Sequence, residues 1–145
     1  MGKGRRSLKT AFLDSSVLFT AVNSPTGGSS KLFTFKEIKL TVSKTVLAEV
    51  EKNVRNKLKS YHLERFFMLV RDIEIVGRNP DDGEIRKTVK IIAKKDAVIL
   101  AEAKSSQASY LVTLDKKDFL QEKPKKYLKP QRILTPKELI HLVEN

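Results

Sequence analysis

Apolar positions along the chain fall into two textures. Short unbroken runs of apolar and β-branched residues alternate with longer stretches in which apolar residues recur every three or four positions. The runs are KTAFLD at 9–14, KLTVS at 39–43, EIVG at 74–77, YLVTLD at 110–115 and RILT at 132–135. Short runs closed by polar or turn residues predict buried strands. The intervening stretches predict helices. SSVLFTAVN begins at a capping hydroxyl, Ser15 or Ser16, and KLFTFKEI at 31–38 follows the loop SPTGGSS. Ser43 caps KTVLAEVEKNVRNKLK, whose Val46, Leu47, Val50, Val54 and Leu58 keep close to helical spacing, and SYHLERFFMLVRDI gives another amphipathic helix. After the turn RNPDDG come two helical patterns, EIRKTVKIIAKK and DAVILAEAKSSQ; a Pro/Lys loop then separates the fourth strand from the fifth. The last helix, PKELIHLVEN, carries its own start signal, with Thr135 as cap, Pro136 at the first position and Glu138 placed to close a capping box.

Strands alternating with helices predict an α/β fold with a parallel sheet covered on both faces. No internal repeat or linker interrupts the 145 residues, so one domain over 1–145 is expected, with 1–8 as a flexible basic N-terminal segment. In such sheets ligands bind beyond the carboxyl ends of the strands, where strand order reverses. That edge is where chemistry is expected.

Composition narrows the chemistry. Hydrophobic residues at 40% and charged residues at 32% suit a soluble globular chain. No apolar run approaches a membrane span, and MGKGRRSLKTAFLD lacks the apolar core of a signal peptide. The absence of cysteine removes disulfides and thiolate metal sites and suits a reducing cytoplasm. His62 and His141 lack partners at ligand spacing, which argues against zinc. The formal net charge is +12, with basic residues clustered in GKGRRSLK, KNVRNKLK and KPKKYLKPQR. Such a surface attracts polyanions through counterion release, so nucleic acid is the expected partner ahead of a Lys-rich surface kept for solubility.

Against that basic background the acids at the strand ends stand out. Asp14 closes the first strand and Asp115 the fourth; Asp96 opens the helix before the fourth strand, and Glu49 lies in the first two turns of the helix after the second. Singly, each has an ordinary explanation as a cap, a turn acid or a dipole-complementing residue. Jointly, four carboxylates gathered at one edge would repel, and a hard divalent cation, Mg2+ or Mn2+, resolves the conflict with oxygen ligands alone. On a basic protein such a centre can polarise a phosphodiester and lower the pKa of a bound water, with lysines and arginines holding the strand. The expectation is a metal-dependent nuclease with water as nucleophile.

The segments FLDSSVLFTAV, VLAEV, DAVILAEAKSSQASYLVTLDKKDF and ILTPKELI resemble, in order and spacing, the motifs of the PIN-domain ribonucleases over nearly the whole chain. That resemblance implies a three-layer α/β/α sandwich with a parallel five-stranded sheet and a negatively charged pocket at the strand carboxyl ends. It implies Asp14, Glu49, Asp96 and Asp115 as the catalytic, metal-binding acids. Thr113 would support the site through hydrogen bonds and Asp118 would be an outer ligand or a turn acid. It further implies cleavage of RNA with Mg2+ or Mn2+, and, as in many small members, a toxin role with an antitoxin partner and a homodimer. The helices covering residues 44–72 could offer the partner surface, although Phe66, Phe67 and Leu69 also read as ordinary core.

The competing expectation is a non-catalytic RNA-binding module on the same fold. The four acids, all present, favour the enzyme. A receiver-like phosphoacceptor would need an acidic pair at the first strand and a lysine closing the last, which KTAFLDSS and QRILTP lack; an Asp-nucleophile phosphatase would need a second Asp where Ser16 stands. Dinucleotide and P-loop glycine signatures do not occur.

Overall fold

The computed structural model describes residues 9–77 and 79–145. The expected basic segment 1–8 lies outside them. Five strands, β1 (Lys9–Leu13), β2 (Ile38–Val42), β3 (Glu74–Ile75), β4 (Tyr110–Val112) and β5 (Arg132–Leu134), form one sheet in the order β3-β2-β1-β4-β5, every pair parallel. The fold class expected from the alternating pattern is the one observed.

The chain moves outward from β1 to β2 and β3, then returns to β4 on the other side of β1 and ends at β5. Right-handed crossovers therefore place the connections before and after β3 on opposite faces. On one face α1 (Ser15–Asn23) packs against α3 (Lys44–Lys57) and α4 (Ser60–Val70), while the short α2 (Gly28–Lys31) packs against α8 (Pro136–Glu144). On the other, α5 (Asp82–Val89) packs against α6 (Lys94–Ser106), and α7 (Glu122–Leu128) lies against β5. Phe12, Leu13, Leu100, Leu111, Phe66 and Phe119 are buried in the core between these layers. Helix α6 buries the small Ala97, Ala101 and Ala103 together with Ile99 and Leu100.

Three local expectations are corrected. Residues 31–38 are not one helix: α2 and a 3-10 turn over Leu32–Thr34 precede the chain's entry into β2 at Ile38. Ile38 pairs with Lys9 of β1, so tertiary strand pairing overrides the local helical pattern. The Pro/Lys segment is not all loop, because Glu122–Leu128 form α7, with Pro124 in the first turn where its missing N–H has no intrahelical acceptor to lose. Finally, α6 starts at Lys94 after Ala93, so Asp96 stands inside its first turn and does not cap it. The capping box at Thr135 and Glu138 forms as expected, with bonds of 3.1 and 2.9 Å.

Candidate metal centre

The middle strands β1 and β4 are where strand order reverses. Leu13 sits opposite Val112, so the next residues along, Asp14 and Thr113, leave the sheet side by side at its carboxyl edge. Asp14 N–H donates to Val112 O at 3.1 Å, and the Asp14 side chain, in place of the expected Ser15 or Ser16 hydroxyl, then caps α1 by accepting from Val17 N. Two hydroxyls complete its shell. Ser16 Oγ donates to Asp14 Oδ1 and Thr113 Oγ1 donates to Asp14 Oδ2, each at 2.6 Å. Each hydroxyl is itself fixed, since Ser16 Oγ accepts from Leu114 N and Thr113 Oγ1 accepts from Asp115 N, both at 3.0 Å. Asp14 is thus buried and tied to both strands. Burial pushes its pKa up to about 6 despite the hydrogen bonds from Ser16, Thr113 and Val17 that favour the charged form, and the nearby Asp115 charge adds to the rise.

Beyond β4 the chain turns sharply on Asp115. Its Oδ1 accepts from Lys117 N at 3.0 Å and Asp118 N at 2.9 Å, which folds Asp118 back beside it. Asp96 arrives from the first turn of α6. Carboxylate oxygens of Asp96, Asp115 and Asp118 all lie within 4.8 Å of one another. Desolvation raises the Asp96 pKa to about 6; Lys95 opposes this, while Asp115, Asp118 and Asp14 reinforce it. Among the described residues the buried Asp96 Oδ2 has no hydrogen-bond partner. An orphaned carboxylate oxygen amid three other acids is a poor arrangement for the protein alone and a good one for a hard cation, so the residues fit a divalent ion.

Asp14, Asp96 and Asp115, expected from separate segments, are therefore brought to one edge, with Thr113 bonded to the first and third of them. Asp118, expected as an outer ligand or a turn acid, is one of the three clustered carboxylates. Glu49 is placed differently. It is exposed in the second turn of α3 and is not one of the three. Ser16 was not anticipated as part of the site. The only local signal was its position two residues after Asp14, because its second bond reaches Leu114 across the fold.

A PIN domain family model matches residues 11–126, a span that includes every member of this cluster. The chain belongs to the PIN domain family. Solved structures agree on the fold. VapBC2 from Rickettsia felis, bound to a DNA fragment from its promoter, is 21% identical with a TM-score of 0.62, covering 86% of this chain and 96% of that one. PAE2754 from Pyrobaculum aerophilum is 17% identical with a TM-score of 0.62, covering 94% and 91%. A toxin–antitoxin complex from Klebsiella pneumoniae is 18% identical with a TM-score of 0.61, covering 87% and 97%. No curated protein matches the chain. At these identities the likeness to the solved structures is one of fold. PIN nucleases are hydrolases that use divalent metals, and this PIN domain carries an acidic cluster at the strand carboxyl ends where such an ion would bind. Among the described residues, no helix is long and apolar enough to cross a membrane.

Proposed function

We propose that the protein is a metal-dependent endoribonuclease that hydrolyses RNA phosphodiester bonds with water as nucleophile. The observation that carries this reading is the meeting of Asp96, Asp115 and Asp118 within 4.8 Å, beside a buried Asp14 held by two hydroxyls. Asp14, Asp96 and Asp115 would hold Mg2+ or Mn2+, Asp118 adds a further ligand, and Glu49 extends the acidic edge from α3. The bound ion supplies Lewis-acid polarisation of the phosphodiester and a lowered pKa for an attacking water.

The side chains do the positioning. Thr113 and Ser16 orient the Asp14 carboxylate, and Thr113 also fixes the backbone on which Asp115 stands. Both turn amides fall on Asp115 Oδ1, and neither uses Oδ2. The surplus of basic residues, 29 Lys and Arg against 17 acids, draws the RNA backbone toward an edge that is itself negative.

The solved toxin–antitoxin relatives support a toxin role for this chain, with an antitoxin protein as partner; a homodimer as the working unit belongs to the same proposal. The cysteine-free composition supports a cytoplasmic setting, and a single domain over 1–145 is part of the same proposal. Labelled single-stranded RNA incubated with the protein in Mn2+, in EDTA, and with the Asp14→Asn variant tests the central reading. Cleavage is expected only with the unaltered protein in Mn2+. RNA that stays whole in all three tubes while still binding would favour the non-catalytic module instead.

A further inference from the structure

A cleft of about 490 Å³ opens directly beside the acidic cluster, and Asp118 lines both. One wall is the connection between α5 and α6, carrying Lys90 and Ile92; the other is the segment after β4 and the start of α7, carrying Lys117, Lys123 and Pro124. Its volume is in the range that holds one or two nucleotide-sized groups. Lysines thus stand on both walls, in the same lining as the apolar Ile92 and Pro124 and the acids Asp118 and Glu122. They do not pair with them: among the described residues the ion pairs are Lys31–Glu144, Lys39–Glu74 and Arg55–Glu51. Three unpaired lysines held next to a cation site are placed for an anion that arrives from outside.

We propose that this cleft holds the unpaired nucleotide next to the scissile bond, with its phosphate between Lys90, Lys117 and Lys123 and its base or ribose over Ile92 and Pro124. The inference rests on the nuclease reading for the position of the scissile bond, and it adds the side from which the strand runs. The chemistry also sets the kind of selectivity. No aromatic ring lines the cleft to stack a base, and no arrangement of amide side chains reads a base edge; Gln121 is the single amide side chain in the lining. Recognition is therefore of a flexible single strand through its phosphate, with weak preference among the four bases.

The test is the triple variant Lys90→Gln, Lys117→Gln, Lys123→Gln. All three lysines are exposed, so the variant is expected to melt with the unaltered protein. Binding of a fluorescent eight-nucleotide unpaired RNA is followed in EDTA over a range of salt. Losing the lysines around that one phosphate reduces the slope of log affinity against log salt by about 0.7, and raises Kd about fourfold at physiological salt. In Mn2+, KM rises with little change in kcat, and trimming the substrate by two nucleotides on one side of the cut reproduces the loss in the unaltered protein only. If the unaltered protein cleaves RNA and the variant keeps the same KM and salt slope, the cleft proposal is overturned while the nuclease reading stands. If neither protein cleaves but the slope still falls by about 0.7, the nuclease reading fails and the cleft remains a strand-binding site.

Discussion

Thr113 shows how much of the centre depends on one uncharged side chain. Its hydroxyl donates its single proton to Asp14 and accepts from Asp115 N, so it couples the acid ending β1 to the backbone of the acid following β4. Thr113→Val keeps the shape and deletes both bonds inside a fully buried position. The expected cost is about 1–3 kcal/mol from the partners left unsatisfied, together with a loss of roughly 10–100-fold in Mn2+ affinity. Calorimetric titration with Mn2+ and thermal melts check the two effects separately. Unchanged metal affinity would mean that the Asp14 orientation is set by Ser16 and Val17 alone. Ser16→Ala is expected to be milder, because Leu114, the other residue it bonds, is exposed and its amide can turn to water.

Among the described residues, one side-chain hydrogen bond joins the helices that carry Glu49 and Asp96. Thr45, at the start of α3, donates to Glu102 Oε2 on α6 at 2.7 Å, and the buried Glu102 has its other oxygen without a partner among the described residues. Thr45→Val removes that donor and leaves a buried carboxylate bare, so a loss of about 1–3 kcal/mol is expected, read as a lower midpoint in urea with an unchanged slope. A midpoint within error of the unaltered protein would show that water already serves Glu102. Neither residue stood out in the sequence, since a glutamate in the middle of an Ala-rich helix looks solvent-facing until the partner helix is placed. The same distinction separates what could be read from what could not. Asp14 and Asp115 were legible because a strand, its closing acid and the following cap or turn are local patterns; that β1 lies beside β4 is seen only in the sheet itself. Helix α7 was hidden by Pro124, whose first-turn position is harmless only once the helix is known to begin at Glu122. Asp118 read as a turn residue, and it is one; the turn is what brings its carboxylate to Asp96.

At the scale of the whole molecule, the acids oppose folding unless something neutralises them. Asp14 holds its proton up to about pH 6 in the folded chain, against 3.8 for an ordinary aspartate. Its contribution to stability is therefore complete below pH 3.8 and is lost as pH rises through 6. For this buried group the loss amounts to about 3 kcal/mol, on the order of 10 °C in Tm for a chain of this size. Asp96, with a pKa also near 6, acts with the same sign but more weakly, because it is only half-buried and solvent screens it. A divalent ion binds only the ionised carboxylates, so it competes with these protons and restores the lost stability where they have left. The gain in Tm on replacing EDTA with Mn2+ is expected to be several degrees larger at pH 8 than at pH 5. Asp14→Asn removes the ionisable group, so its metal-free form at pH 8 is expected to melt at or above the unaltered protein, while its gain from Mn2+ shrinks. Thermal melts of both proteins at the two pH values, with and without Mn2+, give all the comparisons. A gain from Mn2+ that is equal at pH 5 and pH 8 would detach the ion from Asp14 and Asp96, and with it the claim that this edge of the sheet is built around a cation.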